Sequence, residues 1–187
     1  MSFQRNIKLP LERIGVLVGK NGAVKSEIEH RCNVILSIDS KIGEVTIDLR
    51  GDINQSQPFK AMDIVTAIGR GFSPQRAFKL LNEDAVLHVV DLRDYVGKSR
   101  SSLERIKGRI IGLGGKSRRF IEELTDAYIS VFGHTVSIIG RIDEVRLALD
   151  AIDMLTSGSA HKAVYNMLQR ARTKAKMDRM KLWEERI

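Results

Sequence analysis

Two short glycine runs, Gly19-Lys20-Asn21-Gly22 and Gly112-Leu113-Gly114-Gly115, are the sites in this chain best suited to hold a ligand. Each follows two apolar residues, Leu17-Val18 and Ile110-Ile111, and precedes a stretch with helical spacing. Glycine pairs there let the backbone turn tightly and approach closely, while the next helix offers unpaired N–H groups and the positive end of its dipole. The chemistry implied is a seat for phosphate oxygens. Nucleotide sites fail on spacing. Gly115-Lys116-Ser117 resembles the end of a phosphate-binding loop, but G-x-x-x-x-G-K-[ST] needs glycine where Ile110 stands. A dinucleotide fingerprint from Gly112 and Gly114 needs Gly or Ala where Ser117 stands, and must follow a strand.

Other reactive side chains show no grouping. His30, His88, His134 and His161 have no metal-ligand spacing, and Asp48, Asp52, Asp143 and Asp150 form no carboxylate cluster, so neither a metal nor a cofactor is expected and the chain does not read as an enzyme. Cys32 ends a helical stretch and reads as a small buried hydrophobe. Met154, Met167, Met177 and Met180 read as core and tail packing. Trp183 either pins the last helix or faces a partner.

The elements that position the glycines are repeated. Leu17–Asp39 and Ile110–Phe132 correspond at a constant offset of 93, which relates Gly19 to Gly112, Gly22 to Gly115 and Ile28 to Ile121. Each copy continues into a hairpin, Val34–Ile38 with Glu44–Leu49 and Tyr128–Phe132 with Thr135–Ile139, and then an amphipathic helix, Pro58–Gly69 and Arg141–Leu155. A strand and a short helix precede each loop: Arg5–Leu9 with Leu11–Val18, and Ala85–Asp91 with Ser101–Ile111. Each half reads strand, helix, loop, helix, strand, strand, helix. Ser73-Pro74 is a helix start, so Gln75–Leu81 is expected to be a connecting helix. The boundaries expected are 1–72 and 85–157 for the halves, 73–84 for the joint and 158–187 for a basic C-terminal helix. The joint is not Gly/Ser-rich, which predicts that the halves pack together.

Charge ranks the two copies. Of 187 residues, 31 are Lys or Arg and 23 Asp or Glu, a net charge of +8 that favours polyanions. From Lys98 to Arg119, eight basic side chains, including Lys107, Arg109, Lys116, Arg118 and Arg119, face Glu104 alone, a net +7. The matching stretch from Arg5 to Glu29, with Lys20 and Lys25, carries +2, and the tail from Lys162 to Arg186 carries +5. Aromatic residues are 5% of the chain, too few for a surface that stacks bases on rings. One cysteine and no signal-like or membrane-length apolar run predict a reducing, cytoplasmic setting and no membrane partner.

The duplicated pattern, with Ile111-Gly112-Leu113-Gly114-Gly115 at its centre, resembles the type I KH domain. Ile68-Gly69-Arg70-Gly71-Phe72-Ser73-Pro74, with Ala77 and Leu80-Leu81, followed by Arg109–Lys116, resembles the archaeal members of the pre-ribosomal RNA processing family. These are two-KH proteins related to the eukaryotic "partner of Nob" factor. The resemblance covers nearly the whole chain. It implies an α+β fold of two tandem type I KH domains, each a three-stranded sheet with helices on one face, packed together and followed by a C-terminal helix. It also implies single-stranded rRNA held near the 3′ end of the small-subunit molecule during ribosome maturation. The KH pattern prefers an apolar residue three after the second glycine, where this chain has Lys25 and Arg118. Either the helix is slightly rotated or these cations line the groove.

In the expected mechanism each loop clamps the backbone of about four nucleotides, and the hairpin edge at Ile129 and its neighbours reads bases by main-chain hydrogen bonds. The RNA-contacting residues expected are Gly112, Leu113, Gly114, Gly115, Lys116, Arg118, Arg119, Lys107 and Arg109, then Gly19, Lys20, Asn21, Gly22 and Lys25. Alternatives are a docking scaffold for a pre-rRNA endonuclease or a translation initiation factor subunit, and a general binder of single-stranded nucleic acid.

Overall fold

The computed structural model describes residues 3–184. The chain divides into two compact units, Met1–Leu87 and His88–Ile187.

In the first unit β1 (Gln4–Lys8), β2 (Val34–Asp39) and β3 (Glu44–Leu49) form an antiparallel sheet in the order β1-β3-β2. Alternation decides which face is covered: Val34 and Leu36 are buried while Ile35 and Ser37 are exposed. Val45 and Ile47 join them against α1 (Leu11–Val18), α2 (Ala23–Cys32) and α3 (Pro58–Gly69), whose Leu17, Ile28, Ile64 and Ile68 are fully buried. The β2–β3 turn needs a glycine: Gly43 has φ +73°, and a Cβ there would lie 2.4 Å from the Leu9 carbonyl oxygen. The expected connecting helix is shorter and split. A one-turn α4 (Pro74–Ala77), capped by Ser73, tightens into a 3-10 turn at Phe78–Leu81 that buries Leu80.

The second unit repeats the plan. β4 (Ala85–Asp91), β5 (Tyr128–Phe132) and β6 (Thr135–Arg141) form a sheet in the order β4-β6-β5. Its helices are α5 (Arg93–Val96), α6 (Arg100–Ile111), α7 (Lys116–Thr125) and α8 (Ile142–Thr156). The single turn of α5 was not expected; Asp91 starts it by accepting from the Arg93 amide at 2.9 Å. The last helix, α9 (His161–Glu184), is not a free tail. Val164 and Leu168 are fully buried, Tyr165 meets Phe120 of α7 edge-on at 4.5 Å between ring centres, and Arg172 donates to the Glu123 carbonyl at 2.6 Å. The front half of α9 therefore belongs to the core of this unit. Met177 and Met180, expected to pack, are exposed, and the side chain of Trp183 lies outside the described residues.

An arginine staples the helical layer in each unit. Arg13 of α1 donates to the carbonyls of Ile68 (2.8 Å) and Phe72 (2.6 Å), and Arg109 of α6 donates to those of Leu155 (3.0 Å) and Ser159 (2.5 Å). Both guanidiniums reach carbonyls in the last turn of a helix, α3 or α8, and just past its end.

Candidate RNA interface

The two glycine loops have almost the same backbone. Gly19 (φ 73°, ψ 177°) and Gly112 (φ 71°, ψ 174°) end α1 and α6, and their amides return to the carbonyls of Gly15 (2.9 Å) and Gly108 (2.8 Å). These first glycines are needed for two reasons. Their φ is left-handed, and a Cβ would lie 2.5 Å from Val24 Cγ2 at position 19 or 2.7 Å from Ser117 Cβ at position 112. The third loop residue is also left-handed, Asn21 at φ 54° and Gly114 at 57°, and asparagine is one of the few side chains that tolerate this. Gly22 (77°) and Gly115 (78°) then open α2 and α7.

Each loop thus projects two residues between a helix end and a helix start. Lys20 and Asn21 are exposed in the first copy, and Leu113, 95% exposed, leads the second. The first amides of α7 have no partner within the helix and present a positive dipole end beside the loop.

The expected cations divide into two groups. Lys116 and Arg119 are exposed beside the second loop, and Arg119 holds the loop by donating to the Gly114 carbonyl at 2.9 Å. Arg118 is half-buried, with its Nε shielded and without a hydrogen-bond partner. Lys25, its counterpart, reaches Glu29 at 3.9 Å. Lys107 pairs with Glu104 at 3.0 Å, and Arg109 is the staple described above, so neither guanidinium nor ammonium is directed to the loop.

At the sheet edge the expectation needs correction. Ile129, placed in sequence as a base reader, has its amide occupied: it donates to Glu122 Oε1 at 2.7 Å. The first copy makes the same bond, Leu36 N–H to Glu29 Oε1 at 2.8 Å. Sequence reasoning missed both glutamates. Their signal was the repeat itself, since Glu29 and Glu122 stand 93 apart and each lies seven residues before its amide.

Among the described residues no His, Cys, Asp and Glu group has the geometry to hold a metal ion. Burial pushes the Cys32 thiol up to about 11, which leaves it a protonated core side chain. Hydrogen bonds from Arg93 bring Asp91 down to about 2, and the hydrogen bond from Tyr95 to Asp153 takes that phenol up to about 12; both are structural pairings around α5. Among the described residues, no helix is long and apolar enough to cross a membrane.

Residues 86–173 match the family of eukaryotic-type KH domains (KH-domain type I), a span that includes the front half of α9. A KH domain-containing protein of Methanocaldococcus jannaschii is 45% identical over 183 residues, 96% of this chain and 79% of that one. The pre-rRNA-processing protein pno1 of Schizosaccharomyces pombe is 33% identical over 118 residues, 63% of this chain and 49% of that longer protein. Among solved structures, a complex of a/eIF2alpha, aDim2p and rRNA from Pyrococcus horikoshii contains a chain 44% identical to this one, with TM-score 0.85 and coverage of 93% of this chain and 96% of that one. Two KH folds in tandem, matched in sequence over nearly the whole chain, place this protein in the archaeal branch of the PNO1-like family of pre-rRNA-processing proteins.

Proposed function

We propose that this protein holds single-stranded small-subunit rRNA near its 3′ end during ribosome maturation, with the second glycine loop as the principal clamp. The observation that carries this reading is the pair of loops with matching backbone geometry, one of which is surrounded by Lys116, Arg118 and Arg119 at the start of α7. Phosphate oxygens are seated by the loop and the first amides of α7, Lys116 and Arg119 supply attraction, and Leu113 lies against the sugar-phosphate chain. Residues 1–72 and 85–157 act as the two RNA-facing copies, with 73–84 as the joint and α9 bracing the second. The setting is cytoplasmic.

The test is binding of the full chain to a single-stranded oligonucleotide carrying the 3′-terminal small-subunit rRNA sequence, against a scrambled strand and a duplex. The expected result is a preference for the authentic single strand, with log affinity falling linearly in log salt at about −0.7 per phosphate neutralised. A flat salt response or a preference for duplex overturns the reading. A second role as a docking partner for a translation initiation factor subunit is supported by the related chain that was solved together with a/eIF2alpha and rRNA.

A further inference from the structure

The back half of α9 runs on past the core that covers its front half. Val164 and Leu168 are buried, and Arg172 bonds to the Glu123 carbonyl of α7 at 2.6 Å. From Thr173 to Asp178, and again at Met180 and Lys181, every residue is exposed. Between Arg170 and Lys181 the chain carries six basic residues against Asp178 alone, a net +5. Arg170, Lys174 and Lys181 are four and seven residues apart, which puts them within about 40° of one another around the helix and spreads them over about 17 Å of its axis. They share one open face with Asn166, Thr173 and Met177, on the side away from Leu168.

Two ordinary uses of helix cations do not account for this row. A cation near a helix C-terminus complements the dipole, which covers Lys181 in the last turn but not Arg170 or Lys174. Surface cations also pair with carboxylates one turn away. Yet no carboxylate among the described residues pairs with Arg170, Lys174 or Lys181, although Asp178 stands four residues after one and three before another. Arg170 and Lys174 instead repel each other at i, i+4, and a polyanion laid along the row removes that cost. The start of α9 lies close to the second glycine loop, since His161 Nε2 is 2.9 Å from the carbonyl of Arg109, three residues before Gly112. From His161 to Lys181 the helix covers about 30 Å, so the row carries cations well beyond the four or so nucleotides that a KH loop clamps.

We propose that this face of α9 holds a double-helical segment of RNA by its phosphates, next to the single strand at the second loop. Only the position of the single strand rests on the reading of that loop as a clamp. Charge and stiffness identify the occupant. A double helix carries one charge per about 1.7 Å of axis, twice the linear density of one strand. It presents them on a rigid body, which a straight row of cations meets without the entropy of ordering a flexible chain. An anionic membrane needs an apolar stripe as well, and on this face Met177 stands among polar side chains. A second copy of the chain would set like charge against like. The contact reads charge and shape, and selects no base.

The experiment compares two RNAs on the full chain. One is a short single strand with the 3′-terminal small-subunit sequence; the other joins that strand to a stem of about ten base pairs, long enough at about 3.4 Å per pair to follow the helix. The stem-bearing RNA is expected to bind about tenfold more tightly at low salt. Arg170→Ala with Lys174→Ala and Lys181→Ala should abolish that advantage and lower the salt slope on the stem-bearing RNA by about 2 to 3, while the single strand stays within about twofold. Alanine favours helix at exposed positions, and melting temperature checks the fold. Truncation after Thr173 keeps the buried contacts of α9 and should remove most of the same advantage. Bound stem should also raise amide-exchange protection between Thr173 and Lys181, where the helix has no cover. Equal wild-type affinity for the two RNAs, or an unchanged stem advantage in the triple variant, overturns the proposal and leaves an acidic protein as the partner of this face. Equal losses on both RNAs overturn it too, by showing that these cations serve the single strand. Stem binding that needs the three cations while the single strand fails to bind sinks the clamp and spares this face.

Discussion

The two glycine loops present one backbone in two electrostatic settings. At Gly19 and Gly112, Asn21 and Gly114, and Gly22 and Gly115 the φ angles agree to within a few degrees, and both first glycines abut the helix that follows so closely that no Cβ fits. Around them the side chains have diverged. Lys20-Asn21 faces Leu113-Gly114, a net +2 faces +7, and Lys25 leans on Glu29 where Arg118 keeps an unpartnered Nε. The staples make the same point. Arg13 and Arg109 each bind two carbonyls four residues apart at the C-terminal end of α3 or α8, yet they are 96 apart in sequence rather than the 93 that relates the loops. What the fold requires of the backbone is repeated, and what a guanidinium can do from more than one place has moved. Differences in function between the copies therefore belong to their side chains and the charge around them.

The strongest test reverses charge at each loop. Leu113→Asp with Gly114→Asp puts two anions where we propose that phosphates sit in the second copy; Lys20→Asp with Asn21→Asp does so in the first. All four positions are exposed, and the cost to folding is about 1 kcal/mol, from aspartate in the left-handed region at 114. RNA affinity is expected to fall about a hundredfold or more for the second pair, a loss near 3 kcal/mol, and severalfold for the first. Equal losses in filter binding or anisotropy would show that both loops clamp, and a larger loss from the first pair would invert the ranking.

A second difference is the brace, since α9 packs on α7 and α8 of the second unit. Truncation after Ser157 removes Val164, Leu168 and the Phe120–Tyr165 contact. Two buried aliphatic side chains are worth about 1.5–3 kcal/mol each and an aromatic pair about 1 more, a large part of the 5–15 kcal/mol that holds a domain together. Amide-exchange protection should collapse in α7 and β5 while persisting in α2 and β2. Truncation after Thr173 keeps those contacts and should leave both sets protected. Retained protection in α7 after truncation at Ser157 would show that the brace is dispensable.

Much of this architecture was legible from residue pattern. Glu44–Leu49, Pro58–Gly69, Ala85–Asp91 and Tyr128–Phe132 fall where alternation, helical spacing and turn residues put them. What was not legible depends on groups distant in sequence. Counting charge cannot separate Arg119, held beside the loop, from Arg109, whose partners are carbonyls 46 and 50 residues away. Glu122 reads as one more helix-surface carboxylate until β5 is laid beside it. In α9 the apolar residues at 164, 167, 168 and 171 marked a face, but nothing in the sequence said that α7 would cover it.

The staples offer a medium-sized effect. Arg13→Ala and Arg109→Ala each leave two carbonyls at a helix end without their charged donor, at a cost of about 1–3 kcal/mol. Because Arg109 was counted among the cations of the second clamp, its RNA affinity under conditions where the variant stays folded is informative. Binding within about twofold of wild type is expected, against a severalfold loss for Arg119→Ala. A loss for Arg109→Ala that matches Arg119→Ala would return Arg109 to the interface.

The smallest expected effect asks whether the loop residues or the field around them make the second copy dominant. Gly114 has φ 57° and open space where a Cβ would sit, and Asn21 already occupies the equivalent conformation at φ 54°. Gly114→Asn should therefore fold with a change under about 1 kcal/mol, since asparagine accepts the left-handed region and loses little to strain. Asn21→Gly relieves that strain but adds freedom to the unfolded chain, two opposed contributions each below about 1 kcal/mol. Gly112→Ala is the contrasting variant, because its Cβ would lie 2.7 Å from Ser117 Cβ and 2.8 Å from the Ser117 backbone nitrogen. With surrounding charge setting the ranking, exchanging asparagine and glycine between the loops should leave the RNA affinity of wild type within about twofold, while the charge-reversed pairs continue to differ. If the exchange instead weakens the second loop to the level of the first, the dominance lies in the flexibility and bareness of Leu113-Gly114, and the +7 around it only hastens encounter.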